Sequence, residues 1–272
     1  MAFHRVENSQ IYYEYHNPSD HEGPGILFLH GLGSCGEDWG LQIPTVNERY
    51  WLLTLDMPGH GRSSQPEGWP TIEDMAFQVA SVVRERSESP VHVVGLSLGG
   101  AVAMQLALAH PEVVSSLTLV NTFARLRSGS SGFFRKLVRL TFVALGRMDR
   151  VGEWVAAGLF PKPDQELLRQ AAAERIASNP RSAYLRAIWA ATRFDICDRL
   201  SEINSSTLVI AGELDTTVSM EAKKELADQI PGARLVVIPA SGHATPIDAA
   251  EEFNRTLLDF LSELDTGQRG EE

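Results

Sequence analysis

The stretch VHVVGLSLGGAVAMQLALAHP, residues 91–111, joins a short apolar run to a long one through a turn of small residues. The first run is rich in valine, which favours a strand buried on both faces. The second run is helical in pattern and ends at Pro111, which cannot continue a helix. Between them, GLSLG (95–99) matches the pattern G-x-S-x-G. The stretch therefore predicts a strand–turn–helix unit that presents Ser97 at the turn.

The composition is that of a globular chain with ample apolar material for a large core. The 272 residues are 43% hydrophobic, and no apolar window approaches the length that spans a bilayer. The formal net charge of −11 argues against nucleic acid as the main partner. The first ten residues lack the apolar core of a secretory signal, and two cysteines fit a reducing compartment. We therefore expect a cytoplasmic protein without stable membrane insertion, either a monomer or a homodimer.

Apolar runs alternate with helical patterns along most of the chain. Six runs are continuously apolar, as is typical of parallel strands covered on both faces: 26–30, 51–56, 91–95, 117–121, 207–212 and 234–239. A seventh run, 11–16, alternates more and suits an edge strand. Helices are predicted at 71–86, 98–110, 220–230 and 249–264. The alternation predicts an α/β fold: a mostly parallel, twisted sheet flanked by helices.

The alternation stops between Asn121 and Leu208, where only helical patterns occur, at roughly 132–146, 150–160, 164–178 and 181–193. A helical block between two strands of one sheet is an insertion, and we expect it to form a cap over the strand ends. Residues 122–199 hold 14 Lys and Arg against seven Asp and Glu, a net of +7, whereas the remainder carries −18. The predicted division is core (1–121), helical cap (122–199), core (200–265) and flexible tail (266–272).

A serine hydroxyl is a poor nucleophile at neutral pH and needs a base within hydrogen-bond reach. Of the eight histidines, His243 lies in a glycine-containing loop after a late predicted strand and before the last helix. The base in turn needs a carboxylate to fix its tautomer and stabilise its charged form. Asp215 follows the predicted strand 207–212, at the strand end where catalytic groups of such sheets gather. Glu213 is the rival for this role.

In these features the chain resembles the α/β-hydrolase superfamily. The resemblance extends over nearly the whole length of the chain and is weakest in residues 122–199. The resemblance rests on GLSLG, on HGLG (30–33) and on DMPGHGRS (56–63) after the next strand. It implies that the serine turn is a nucleophile elbow and that the acid and the histidine follow it in chain order. It also favours Asp215, which matches the family's G-x-x-D pattern. Some relatives carry the acid one strand earlier, where this chain has Asn121, which supplies no charge.

Acyl transfer also produces an oxyanion, which needs preorganised N–H donors. The backbone N–H of Leu98, next to the nucleophile, is one candidate. The resemblance of His30-Gly31-Leu32-Gly33 to the family's oxyanion loop implies that the Leu32 N–H is the second. We expect two pairs of glycines to support this arrangement by letting the backbone approach closely or by avoiding collisions around the serine turn. These are Gly31 and Gly33 in the loop, and Gly95 and Gly99 in the turn.

The chemistry predicted from these parts is hydrolysis of a carboxylic ester or lactone by a Ser97–His243–Asp215 triad, through an acyl-enzyme. The sequence looks most like the 3-oxoadipate enol-lactonases and bacterial carboxylesterases. Three alternatives are compatible with the same residues: a C–C bond hydrolase, a cofactor-free perhydrolase and a non-catalytic receptor of hydrolase fold. No metal or organic cofactor is implied, and the expected partner is a small-molecule ester or lactone.

Substrate contacts are expected from the basic 122–199 segment. An arginine-rich lid could hold a carboxylated lactone, although the same arginines could equally be the solvent face of its helices. The apolar stripe of the 133–147 segment could form the wall of an acyl pocket or, alternatively, a membrane-seeking helix. The residues proposed to bind substrate are Arg125, Phe134, Arg135, Arg139 and Trp189.

Overall fold

The computed structural model describes residues 2–17, 23–126 and 143–268. In these ranges one eight-stranded sheet runs through the molecule in the order β1-β2-β4-β3-β5-β6-β7-β8. The strands are β1 Ala2–Val6, β2 Ser9–His16, β3 Gly25–Leu29, β4 Trp51–Leu55, β5 Val91–Leu96, β6 Val114–Val120, β7 Ser206–Gly212 and β8 Arg234–Ile238. The pairs β1–β2 and β2–β4 are antiparallel, and the other neighbours are parallel. The mostly parallel sheet confirms the predicted fold class.

Helices cover both faces of this sheet. In the described ranges they are α1 Ile43–Val46, α2 Ile72–Arg86, α3 Leu98–Ala109, α4 Met148–Leu159, α5 Glu166–Ala177, α6 Arg181–Arg193, α7 Met220–Gln229, α8 Thr245–Asp248 and α9 Ala250–Gln268. Alternate residues of the strands point to opposite faces, which divides the core into two layers. On one face α2 and α3 pack over Leu27, Leu53 and Leu119. On the other, α9 packs over Ile26 and Phe28.

Helix α2 shows how a local signal fixes an element boundary. The Thr71 side chain accepts a hydrogen bond from the Asp74 amide, and the Asp74 carboxylate accepts one from the Thr71 amide. This capping box satisfies two amides that the first helical turn leaves without partners. The helix consequently begins at Ile72, where the sequence pattern places it.

The ends of the sheet differ from the predictions. The run 11–16 is not an edge strand, because β1, which the sequence pattern did not reveal, pairs with β2 on its outer side. The opposite edge is β8, predicted to be buried on both faces, yet most of its residues are partly or fully exposed and Val237 is 43% exposed. An edge strand has only one neighbour, so its apolar side chains are covered less completely.

Three helices, α4, α5 and α6, lie between β6 and β7, and we call them the inserted helices. Their apolar side chains form a small separate cluster that includes Val151, Ile176 and Tyr184. The predicted helix at 132–146 falls largely outside the described residues. At the other end of the chain, α9 continues to Gln268, so residues 266–268 of the predicted flexible tail are helical.

Candidate active site

Ser97 lies at the turn between β5, in the middle of the sheet, and α3. Its backbone has φ 54° and ψ −113°, an unfavourable conformation for a non-glycine residue that costs on the order of 1–3 kcal/mol. A side chain at Gly99 would overlap the Leu29 carbonyl oxygen, and one at Gly95 would overlap the backbone of Gly99. The two glycines thus permit a turn tight enough to lift the serine side chain above the sheet. The strain concentrates at the residue predicted to be the nucleophile.

His243 and Asp215 meet at the carboxyl ends of β7 and β8. The His243 Nδ1 atom is 2.9 Å from Asp215 Oδ2. A carboxylate only accepts hydrogen bonds, so Nδ1 carries the proton and Nε2 of the neutral ring keeps its lone pair. Both side chains are almost completely buried, and His243 lines a cavity that Ser97 also lines. The structure therefore brings the three predicted side chains to one edge of the sheet.

The Ser97 hydroxyl makes no hydrogen bond to the His243 imidazole within the described part of the chain, although both face the same cavity. Catalytic hydrogen bonds are often long or poorly aligned before substrate binds and shorten in the reacting complex.

Asp215 is held by three hydrogen-bond donors and one ion pair. Its Oδ1 accepts from the amides of Thr217 and Val218 at 2.7 and 3.2 Å. Its Oδ2 accepts from His243 and also lies 2.7 Å from the ammonium nitrogen of Lys223. Burial acts to raise the pKa of Asp215, but His243 and Lys223 together outweigh it and lower that pKa to about 2. The carboxylate is therefore ionised throughout the neutral range.

Lys223 was missed by the sequence reasoning, although a signal was available. In the 220–230 pattern, Lys223 stands three residues before Leu226 and seven before Ile230, which places it on the apolar face of α7. A lysine on a buried helix face usually has an ionic partner inside the protein.

Glu213, the alternative candidate for the catalytic carboxylate, has a structural contact instead. Its Oε2 accepts a hydrogen bond from the Ala240 amide at 2.9 Å, which braces the loop before the histidine. The position one strand earlier holds Asn121, fully buried with φ 45°. Its Nδ2 donates to the His243 carbonyl and to Thr245 Oγ1, both at 2.8 Å, and its Oδ1 accepts from the Gly212 amide. Asn121 thus links the ends of β6 and β7 to the histidine loop.

The two candidate oxyanion donors line the same cavity. Leu98 is the first residue of α3, so its N–H has no partner within the helix. Leu32 lies in the loop after β3, and no backbone or side-chain acceptor is recorded for either amide across the described residues. Gly33 has φ 79°, which favours glycine. Gly31 has no such requirement, because a Cβ there would meet the nearest atoms at an ordinary 3.7 Å.

His30 supports this loop as a neutral side chain. Its Nδ1 donates to the Gly31 carbonyl at 2.8 Å and its Nε2 accepts from the Met57 amide at 2.9 Å. Burial lowers the pKa of His30 to about 4, so the ring is uncharged at neutral pH. The ring therefore connects the loops after β3 and β4 without adding a charge near the site.

The cavity has a volume of about 270 Å³ and a mostly apolar lining. Representative apolar residues are Phe123, Val155, Leu159, Phe160, Ile176 and Val218. Several of them come from α4 and α5, so the inserted helices form much of the wall opposite the strand ends. A cavity of this kind suits a substrate with an apolar body.

The charged groups of the lining balance one another. Arg175 of α5 is the one lysine or arginine among the described lining residues, and its guanidinium lies 2.9 Å from Glu37 and 3.5 Å from Asp38. Asp38 also accepts from the Ser34 hydroxyl, and burial raises the pKa of Asp38. Because two carboxylates face Arg175, the described lining offers no free cation to a substrate carboxylate.

Of the predicted substrate-binding residues, the two that the structure describes, Arg125 and Trp189, do not line this cavity. Trp189 is absent from its described lining; its ring lies 5.4 Å from that of Trp69, and both rings are partly exposed. Trp189 occupies the outer face of α6, which helical spacing alone does not distinguish from the inner face. Arg125 forms an ion pair with Asp195 at 3.0 Å instead. Phe134, Arg135 and Arg139 lie outside the described residues.

The described residues show neither a metal-binding cluster nor a helix that could span a membrane. Across residues 2–17, 23–126 and 143–268, no group of three or more His, Cys, Asp and Glu side chains is placed to hold a metal ion. No helix in these ranges combines the length and apolarity needed to cross a bilayer.

Known proteins resemble this chain along nearly its whole length. A protein named "Putative carbamate hydrolase RutD" from Variovorax paradoxus is 34% identical over 261 residues, which is 93% of this chain and 97% of the relative. A protein of the same name from Azorhizobium caulinodans is 31% identical and covers 97% of this chain and 100% of its own.

Solved structures agree on the architecture. The enol-lactonase of Burkholderia xenovorans superposes with a TM-score of 0.89 at 24% identity, covering 96% of this chain and all of its own, and it supports the fold alone. Est816, described as an N-acyl homoserine lactone degrading enzyme, has a TM-score of 0.82 at 28% identity and covers 95% and 100% of the two chains. The model of the Alpha/beta hydrolase family matches residues 26–256. The chain therefore belongs to the alpha/beta hydrolase family and is a hydrolase.

Proposed function

We propose that the protein hydrolyses uncharged carboxylic esters or lactones with an apolar acyl group, through an acyl-enzyme on Ser97. The observation that carries the proposal is the His243–Asp215 pair, with Nδ1 bound to the carboxylate, in a cavity lined by Ser97 and by the Leu32 and Leu98 residues. These are the groups that acyl transfer needs: a nucleophile, a base with a fixed tautomer and donors for an oxyanion.

In this mechanism the Ser97 oxygen attacks the acyl carbon while His243 Nε2 takes the hydroxyl proton. Asp215 stabilises the resulting imidazolium, and the Leu32 and Leu98 amides donate to the negatively charged oxygen of the tetrahedral intermediate. The imidazolium then passes its proton to the leaving oxygen as the C–O bond breaks: the alcohol of an ester departs, whereas the new hydroxyl group of a lactone stays attached to the acyl chain. Water, deprotonated by the same ring, attacks the acyl-enzyme and releases the acid. One oxyanion donor contributes on the order of 3 kcal/mol to lowering the barrier.

The cavity supports the uncharged, apolar substrate class. Its wall is mostly apolar, and the cationic Arg175 is already paired with Glu37 and Asp38. A carboxylated lactone would bring an unpaired anion into these surroundings, at a desolvation cost. The described part of the site thus favours neutral substrates over the carboxylated ones considered from the sequence.

A carbamate is the second candidate, because relatives 30–34% identical to this chain carry the name "Putative carbamate hydrolase". The same nucleophile and oxyanion donors can attack a carbamate carbonyl. A free carbamate ion is small and charged, however, and would leave most of a 270 Å³ apolar cavity unfilled. The cavity therefore supports a carboxylic acyl group more strongly.

The test is a panel of p-nitrophenyl esters of increasing acyl length, neutral and carboxylated lactones of matched size, and a p-nitrophenyl carbamate. We expect neutral esters or lactones with medium apolar acyl groups to have the highest kcat/KM, and Ser97→Ala to abolish their turnover. Selective turnover of the carbamate would favour the second candidate. Turnover unaffected by Ser97→Ala, or no turnover of any acyl compound, would overturn the proposal.

A further inference from the structure

Lys223 is a fully buried lysine whose ammonium group lies on the carboxylate of Asp215. It belongs to α7, and neither its side chain nor that of Asp215 is exposed to solvent. The Nζ atom is 2.7 Å from Asp215 Oδ2. Lys223 lines no part of the cavity described above, so any effect on substrate must pass through Asp215.

Lys223 and His243 share one oxygen atom. The His243 Nδ1 atom lies 2.9 Å from the same Oδ2, whereas Oδ1 is occupied by the Thr217 and Val218 amides. When His243 is protonated, two cations therefore adjoin a single carboxylate oxygen. Each weakens the attraction that the other feels, because like charges at this separation disfavour one another.

Burying the Lys223 ammonium group costs free energy, and this cost distinguishes the Lys223–Asp215 pair from an ordinary surface ion pair. An ammonium group without water loses several kcal/mol of hydration, and its mutual attraction with a carboxylate offsets this cost only in good geometry. Burial lowers the pKa of Lys223, while Asp215 acts in the opposite direction. The buried side chains of Leu226, on the same face of α7, and of Ile230, directly after this helix, are apolar, as is usual for buried positions. The charge is therefore the distinctive property of residue 223.

We propose that Lys223 is a positioning residue that limits how strongly Asp215 stabilises the protonated His243 ring. The inference rests on the proposed function, because it gives Lys223 a part in the same general-base machinery. A carboxylate without a second cation would hold the imidazolium too firmly. The ring would then be protonated in a larger fraction of molecules at neutral pH, and it would pass its proton to the leaving group less readily.

The charges around this pair are few in the described part of the chain. Asp215 is the one ion-pair partner recorded for Lys223. Asp38 and Arg175, which pair with each other, line the same cavity as His243. Asp248 accepts hydrogen bonds from the Gly242 amide and the Ser241 hydroxyl, next to His243 in the chain. The turn Cys197–Glu202 and β8 pack on α7, and the other charged groups of these three elements point outwards. Arg199 pairs with Glu202, and Arg234 pairs with Glu263. The side chains that are exposed are Asp198, Glu221, Lys224 and Asp228. Glu225 is partly exposed.

The test is the pH dependence of kcat/KM for the best neutral ester in wild type, Lys223→Met and Lys223→Arg. Lys223→Met removes the charge and keeps most of the side-chain volume, and we expect the acidic limb to move to higher pH by about one unit. Lys223→Arg keeps the charge and serves as the control, with a limb close to that of wild type. On the plateau above the limb, KM should change little. An acidic limb of Lys223→Met that coincides with wild type would overturn the proposal.

A second readout does not depend on turnover. The titration of the His243 imidazole, followed by NMR and assigned with His243→Ala, should move to higher pH in Lys223→Met by the same amount. Lys223→Gln, which keeps a polar donor but loses the charge, should show the same direction of shift, and it is the alternative if Lys223→Met does not fold. An unchanged imidazole titration in either folded variant would refute the role of Lys223. Failure of all acyl substrates would instead refute the proposed function.

Discussion

The strand-end loops and the inserted helices line opposite sides of one cavity, but they are held in place by different means. On the strand side, Asp215 accepts hydrogen bonds from three donors and pairs with Lys223, and the Asn121 amide group bonds to Gly212, His243 and Thr245. The bonds from the Thr217 and Val218 amides are at least partly exposed, whereas the Lys223 ion pair and the Asn121 hydrogen bonds are buried. Such buried polar networks fix geometry because each broken bond leaves a group without water. Several contacts at once thus fix the positions of the loops that hold the candidate catalytic residues.

The polar contacts that join the inserted helices to the rest of the chain are dispersed, and those made by side chains are partly exposed. The Leu159 carbonyl accepts from the His243 amide at 3.2 Å, Asn179 Nδ2 donates to the Gly33 carbonyl at 2.9 Å, and Arg175 pairs with the partly exposed Glu37. Contacts of this kind contribute about 1 kcal/mol each, and less where exposed. The comparison indicates that changes on the strand side should abolish catalysis, whereas changes in the inserted helices should adjust it.

The largest effect is expected from His243→Ala. Without the ring, Ser97 has no base and the leaving group has no proton donor, so kcat should fall on the order of 10⁶-fold. Steady-state assays at saturating ester measure this, with circular dichroism as the control for folding. A loss of less than about tenfold in a folded variant would contradict the assignment of the base.

Asp215→Asn should reduce kcat on the order of 10⁴-fold, because an amide can hold the ring in the wrong tautomer and cannot stabilise its charge. This variant also separates the chemistry of Asp215 from its contribution to stability. The pKa of Asp215 is lowered from 3.8 to about 2, so the ionised side chain stabilises the fold above pH 3.8 and loses this contribution as the pH falls towards 2.

The difference in the free energy of unfolding between wild type and Asp215→Asn should therefore shrink by about 2 kcal/mol over that interval. Denaturant unfolding at a series of pH values measures it, and a difference independent of pH would contradict the lowered pKa. The titration of other carboxylates is common to both proteins and cancels in this comparison.

Asn121→Ala should have an intermediate effect. It removes hydrogen bonds to the histidine loop and to Gly212, and it leaves their buried partners unsatisfied, at about 1–3 kcal/mol each. We expect kcat/KM to fall about 10- to 100-fold and the thermal midpoint to decrease. Asn121→Asp is the matched control: it keeps the shape but places an acceptor against the His243 carbonyl, so it should not rescue activity. Full activity of Asn121→Ala would show that the network is dispensable.

The smallest effect is expected on the side of the inserted helices. Asn179→Ala breaks the bond to Gly33 in the loop that carries the Leu32 amide, and about 1 kcal/mol corresponds to a roughly fivefold loss of kcat/KM. Asn204→Ala, which removes an exposed amide that bonds only locally to Glu202, is the control and should leave kinetics unchanged. If Asn179→Ala reduced kcat/KM as much as Asn121→Ala does, the proposed difference between the two sides of the cavity would be wrong.

The sequence predicts the elements that are encoded locally better than the contacts that depend on the tertiary structure. The central strands and α3 are encoded by local periodicity, and Ser97, His243 and Asp215 could be proposed as site residues because each follows a recognisable strand. β1 was missed because its short alternating pattern packs on one side only. Arg175 was missed because its partners Glu37 and Asp38 are distant along the chain. Lys223 was missed although Asp215 lies only eight residues earlier, because no local pattern shows that the turn before α7 brings the two side chains together.

The central claim is that Ser97 is an activated nucleophile. It is tested most directly by reacting the protein with an alkyl fluorophosphonate and locating the adduct by mass spectrometry of its peptides. The account predicts one adduct per chain, on Ser97, formed rapidly in wild type and lost in His243→Ala. An unmodified Ser97 after prolonged exposure, or an adduct on another residue that forms equally fast without His243, would contradict it.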